Sequence, residues 1–112
     1  MDFIVTQTGD TAVVKTDVER LNASNASELK AQLVLLNKQN VNKMVIDLSK
    51  TKYCDSSGLS AILVANRLCK DTNGAFALCG LQANVQKLIE IAQLDKVLTL
   101  AANEEEAVAA LA

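Results

Sequence analysis

The sequence predicts an α/β fold, a mixed sheet with crossover helices packed against it. Three observations carry this. Runs rich in β-branched residues alternate with runs of helical period in the order β-β-α-β-α-β-α-β-α, which places strands around several crossovers. The stretch Lys43-Met44-Val45-Ile46-Asp47-Leu48 is almost continuously apolar, as in a strand covered on both faces. Half of the 112 residues are apolar, enough for one core, and no linker, repeat or low-complexity stretch divides the chain, so residues 1–112 read as one domain.

Phe3-Ile4-Val5-Thr6-Gln7 and Thr11-Ala12-Val13-Val14-Lys15 flank the turn signal Thr8-Gly9-Asp10 and read as an antiparallel hairpin. A helical pattern follows from Asn22-Ala23-Ser24, with Ala26, Leu29, Leu33 and Leu36 on one face and Ser24 or Asn25 as cap; Asn37-Lys38-Gln39-Asn40 ends it. Val41 leads into the central strand. Beyond that strand, Leu59, Ile62, Leu63, Asn66 and Cys69 recur at helical spacing, as the core stripe of a second helix. Asp71-Thr72-Asn73-Gly74 is a turn before the strand Ala75–Cys79. Gln82–Ala92 reads as a helix with Val85, Leu88, Ile89 and Ala92 inward, and Val97-Leu98-Thr99-Leu100 as the last strand. Asn103 with Glu106 forms a capping-box pattern, and Glu104 and Glu105 favour the same helix start electrostatically.

Composition narrows the function. A formal charge of −2 with scattered Lys and Arg argues against nucleic acid as a direct partner. Neither a signal-peptide pattern nor an apolar run of membrane-spanning length is present, so a soluble cytoplasmic protein without a membrane partner is expected. Cys54, Cys69 and Cys79 are odd in number and widely spaced, which fits reduced thiols better than a disulfide frame or zinc site. With no histidine, Ser-His-Asp and Cys-His catalysis and the commonest zinc ligand are missing, and no phosphate-binding Gly-rich loop or nucleophile elbow stands in their place. The expectation is a protein that is not an enzyme and uses no metal or cofactor.

What remains is Asp55-Ser56-Ser57-Gly58, lying between the central strand and the second helix and holding the only adjacent pair of hydroxyls near a helix start. Each of the first three residues accepts hydrogen bonds from free N–H groups of a first turn, so the tetrad is a helix cap on its simplest reading. It is also a modification site in form. Gly58 removes bulk, which would let a partner's active site approach the serines. A phosphate there would meet the positive end of the helix dipole and unpaired backbone donors, while adding about −1.5 to −2 charge units to any docked surface.

Val45-Ile46-Asp47-Leu48-Ser49, a short loop and Asp55-Ser56-Ser57-Gly58-Leu59 together resemble the signature of STAS domains, the family of bacterial anti-sigma factor antagonists and sulfate-transporter tails. The resemblance extends over nearly the whole chain. It implies partner switching in transcription regulation: the unmodified protein binds an anti-sigma factor with serine-kinase activity and frees sigma, the kinase phosphorylates Ser57 and the complex falls apart, and a PP2C-type serine phosphatase resets it. On that basis Ser57 is a substrate hydroxyl, and Asp55 caps the helix or orients the serine. Many family members carry Gly-Glu-Leu-Asp after the second strand; here Glu19, Arg20, Leu21 and Asn22 correspond, and Asn22 replaces the acid. A turn or capping role for Asn22 stands beside a docking role.

Ala61, Val64 and Leu68 form a second apolar stripe on the helix, which means either deeper burial or a docking face. The partner-binding set is therefore Asp55, Ser56, Ser57, Gly58, Ala61, Val64, Leu68 and Asn22. The competing readings are a non-catalytic STAS subunit of a larger lipid-transport or stressosome-type assembly, and a small enzyme or nucleotide-binding protein using Ser57 or Cys54.

Overall fold

The computed structural model of the chain describes residues 2–111. β1 (Phe3–Thr8) and β2 (Thr11–Thr16) pair antiparallel, and β4 (Lys43–Asp47), β6 (Ala75–Cys79) and β7 (Thr99–Ala101) add in parallel, giving a five-stranded sheet in the order β1-β2-β4-β6-β7. Two short strands, β3 (Arg20–Leu21) and β5 (Tyr53–Cys54), form a separate parallel pair that the residue pattern does not announce. The connecting helices are α1 (Ala26–Lys38), α2 (Ser56–Asp71) and α3 (Ala83–Ile91), and α4 (Glu104–Ala110) closes the described chain.

Each crossover steps one strand further in the same direction. Connections of one hand then put α1, α2 and α3 on one face of the sheet. Their apolar residues, among them Leu29, Leu33, Ile62, Val85 and Ile89, pack with Val14, Met44, Ile46 and Leu78 in the main core. α4 turns back over the opposite face, where Ala107 and Leu111 cover Val45, Ala77 and Cys79. The central strand is thus buried from Met44 to Asp47, as its apolar run requires.

Most local signals hold. Asn103 Oδ1 accepts from the Glu106 N–H (2.9 Å) and the Glu106 carboxylate accepts from the Ala102 N–H (3.2 Å), closing the α4 cap. Asn25 is the α1 cap position, but its side chain accepts from the Asn22 N–H (3.0 Å) rather than from the helix. The last strand begins later than its β-branched run suggests, because a 3-10 turn at Leu94–Lys96 takes up the preceding segment through Val97 and Leu98 N–H bonds to Leu94 O. Leu88 is only half-buried and Ala92 exposed, so α3 presents a narrower face than its pattern suggests.

At the carboxyl end of the sheet Lys15 neighbours Asp47 across the β2–β4 ladder, and its Nζ lies 3.6 Å from Glu104 at the start of α4. Burial raises the Asp47 pKa, but hydrogen bonds from Glu104 and Ser49, with the charge of Lys15, outweigh it and hold Asp47 below its ordinary value. Glu104 moves the other way. Its protonated form hydrogen-bonds to Asp47, and burial and the Asp47 charge push its pKa up further.

Candidate functional site

The Asp-Ser-Ser-Gly turn is held in place by a buried hydroxyl pair that joins Thr51, four residues before it, to Thr16 at the end of β2. Thr51 donates to Val18 O (2.8 Å), and the single Thr16 hydroxyl proton is shared between Thr51 Oγ (2.6 Å) and Asp47 O (3.2 Å) in the interior. The N–H groups of Lys52 and Tyr53 then bond to Glu19 O, which clamps the strand-to-helix loop against residues 17–21 and creates the β3–β5 pair. The signal for this was present: Thr16 falls on the same alternating face of β2 as buried Ala12 and Val14.

From this clamp Asp55 caps α2, its Oδ1 accepting from the N–H groups of Ser57 (2.9 Å) and Gly58 (3.1 Å). Such a cap contributes about 0.5–2 kcal/mol. Ser56 is exposed and Ser57 half-buried, so both hydroxyls are reachable. Two expectations need correction. The donors expected to greet a phosphate on Ser57 are already engaged by the Asp55 carboxylate. Gly58 is buried, so it opens no approach for a partner; a Cβ there would lie 2.5 Å from Cys54 Sγ and 2.8 Å from Leu21 O, and the glycine is needed for α2 to pack against the β3–β5 pair.

Cys54 lies under this contact, its Sγ donating to Asp55 O at 3.5 Å. Burial, helped by the Asp55 charge, pushes its thiol up to about 11, so the nucleophilic thiolate is scarce near neutrality.

The stripe on α2 is also divided differently from the sequence reading. Ala61 is fully buried and belongs to the core with Gly58, Ile62, Ala65 and Cys69; Leu68 packs against that core from its edge. Ala61 is therefore withdrawn from any docking surface. Leu63, assigned to the core by its period, is instead 38% exposed. With Leu59, Val64 and Arg67 it lines a shallow apolar groove that begins at Ser56 and Ser60. α2 packs on its small residues because they allow close approach of α1 and the sheet, which rotates the larger Leu63 outward.

Asn22 is a turn residue. Its Oδ1 accepts from the Ser24 N–H (2.9 Å) and hydroxyl (2.6 Å), and its carbonyl from the N–H groups of Asn25 and Ala26. It lines a small cleft with Asp55, Cys54 and Tyr53, where the Arg20 guanidinium stacks over the Tyr53 ring at 4.4 Å. The fold thus brings Asn22, Asp55, Ser56 and Ser57 together around the start of α2, while Val64 lies about two turns further along the same helix, in the groove that begins at Ser56. Among the described residues no group of three or more His, Cys, Asp or Glu converges as metal ligands, and no helix is long and apolar enough to cross a membrane.

The family model for the STAS domain matches residues 2–107. The chain belongs to the STAS domain family. A protein from Bordetella bronchiseptica, BtrV, described as a candidate anti-sigma factor antagonist, is 29% identical over 90 residues, which cover 80% of this chain and 78% of that protein. Solved structures share the STAS fold. An anti-sigma factor antagonist domain protein from Planctomyces limnophilus superposes with a TM-score of 0.88 at 19% identity, covering 99% of this chain and 98% of the other. The Bacillus cell fate determinant SpoIIAA, an anti-sigma factor antagonist, superposes in its unphosphorylated form with a TM-score of 0.82 at 21% identity, covering 95% and 92%. Its phosphorylated form gives 0.77 at 20% identity, covering 98% and 99%.

Proposed function

We propose that this STAS domain is an anti-sigma factor antagonist: unmodified, it binds an anti-sigma factor that is also a serine kinase and so frees sigma; phosphorylation of Ser57 ends the binding, and a PP2C-type phosphatase restores it. The observation that carries this reading is a reachable Ser57 hydroxyl in the first turn of α2, beside an exposed apolar groove on the same helix. The names of the Bordetella and Bacillus relatives support it, as does the existence of SpoIIAA in unphosphorylated and phosphorylated forms.

The chemistry is local. A partner seated on Leu59, Leu63 and Val64 must desolvate the neighbouring turn, where Asp55 already places one carboxylate. A phosphate adds about −1.5 to −2 charge units at that point, and each 1.4 kcal/mol of resulting penalty weakens binding about tenfold. Capture from the protein's own cell extract with ATP or ADP present, followed by intact mass and peptide mapping of the bait, tests the proposal. A kinase partner and a single phosphate on Ser57 are expected. Phosphate confined to Ser56 or another residue would refute the assignment, and absence of phosphate under every condition would favour a subunit of a larger STAS assembly.

A further inference from the structure

A phosphate on Ser57 would stand beside the Asp55 carboxylate, with the N–H groups of Ser57 and Gly58 already taken by that carboxylate. The helix start therefore offers it little. Opposite lies a groove of about 340 Å³ between the first turns of α1 and α2, into which Ser57 and Ser60 face from one side and Ser27 and Lys30 from the other. Lys30 is the only cation among the lining residues. It is half-buried, and no Asp or Glu pairs with it among the described residues. Its own helix supplies no acid three or four positions away, the separations at which helical side chains meet.

We propose that Lys30 is the positioning residue of the modified state: its ammonium, with the hydroxyls of Ser27 and Ser60, holds the Ser57 phosphate in the α1–α2 groove and turns it away from Asp55. This rests on the assignment of Ser57 as the modified serine. An ammonium is suited to the task as a point charge on a flexible stem, and the hydroxyls donate to the remaining phosphate oxygens. In the unmodified protein Lys30 has no such role, so its substitution leaves the unmodified domain's binding surface on α2 unchanged.

The test uses full-length protein carrying phosphoserine installed at position 57 during translation, so that no kinase is required. The second ionisation of the phosphate is followed by phosphorus NMR in the otherwise wild-type protein and in Lys30→Gln, Lys30→Arg and Lys38→Gln backgrounds. Lys30 favours the dianion, so Lys30→Gln is expected to raise that pKa by roughly 0.2–0.7 unit, the range an exposed ion pair gives. Lys30→Arg should restore most of the shift, Lys38→Gln should change nothing, and added salt should shrink the difference. Identical titrations in wild type and Lys30→Gln, with both folded by circular dichroism, would overturn the assignment. Peptide mapping of the kinase-treated protein decides separately whether Ser57 is the natural target: a Lys30 effect with no natural modification of Ser57 would sink the functional reading while leaving the clamp intact as chemistry.

Discussion

At the scale of single residues, the site divides into groups that hold the turn and the two serine hydroxyls, Ser56 and Ser57, that remain reachable. Asp55 and Gly58 hold it. Because a Cβ at position 58 would meet the backbone oxygen of Leu21 as well as the Cys54 thiol, Gly58→Ala must displace α2, a cost of about 1–3 kcal/mol. A fall in unfolding free energy of that size, read as a lower urea midpoint, is expected, and an unchanged midpoint would show that the turn is looser than its contacts imply. Asp55 was legible because capping is local: the acid and the N–H groups it accepts from are two and three residues apart. Gly58 was not legible in the same way, since the atoms it makes room for belong to β3 and β5.

At the scale of elements, the rotation of α2 decides which apolar residues a partner meets. Period alone put Leu63 inside and left Ala61 for docking, whereas close packing selects the small side chains and leaves the larger one out. The two classes of position are separable by experiment. Val64→Lys should weaken capture of the anti-sigma partner with little change in melting temperature. Ala61→Lys should lower the melting temperature sharply, because it forces a cation into a fully buried site. If both variants melted alike, α2 would not sit as described. The α4 contact makes a second claim. A raised Glu104 pKa in the fold means that the stability it contributes is present below its unfolded value, roughly 4.3, and is lost as pH rises through the folded value. Asp47, held low, has the opposite sign, its contribution being lost as pH falls. Glu104→Gln keeps a donor for Asp47 at every pH, so its melting temperature relative to wild type is expected to rise between pH 4 and pH 7. The reverse trend would mean that the Lys15–Glu104 attraction governs this contact.

At the scale of the whole molecule, a mixed sheet with crossover helices was readable because it follows from a continuous apolar strand, helical crossovers and a leading hairpin. The short β3–β5 pair and the Thr16–Thr51 hydroxyl bond were not, since they join segments that meet only once the sheet has formed. That framework explains why a charge added at one turn need not disturb the fold: the start of α2 is anchored by Thr51, Leu21 and Cys54 from below, and Ser57 faces the α1–α2 groove. The central claim is that phosphate at Ser57 acts on the docking surface and not on folding. Calorimetric dissociation constants for the captured anti-sigma kinase, measured with unmodified, singly phosphorylated, Ser57→Asp and Ser57→Ala protein alongside circular dichroism melts, test it most directly. Ser57→Ala is expected to bind like the unmodified protein and the phosphorylated form to bind roughly ten to a thousand times more weakly, a loss of about 1.4–4 kcal/mol, with Ser57→Asp also weakened and all four melting similarly. Equal affinity of the phosphorylated and unmodified forms, or a phosphorylated form that has lost its fold, would contradict it.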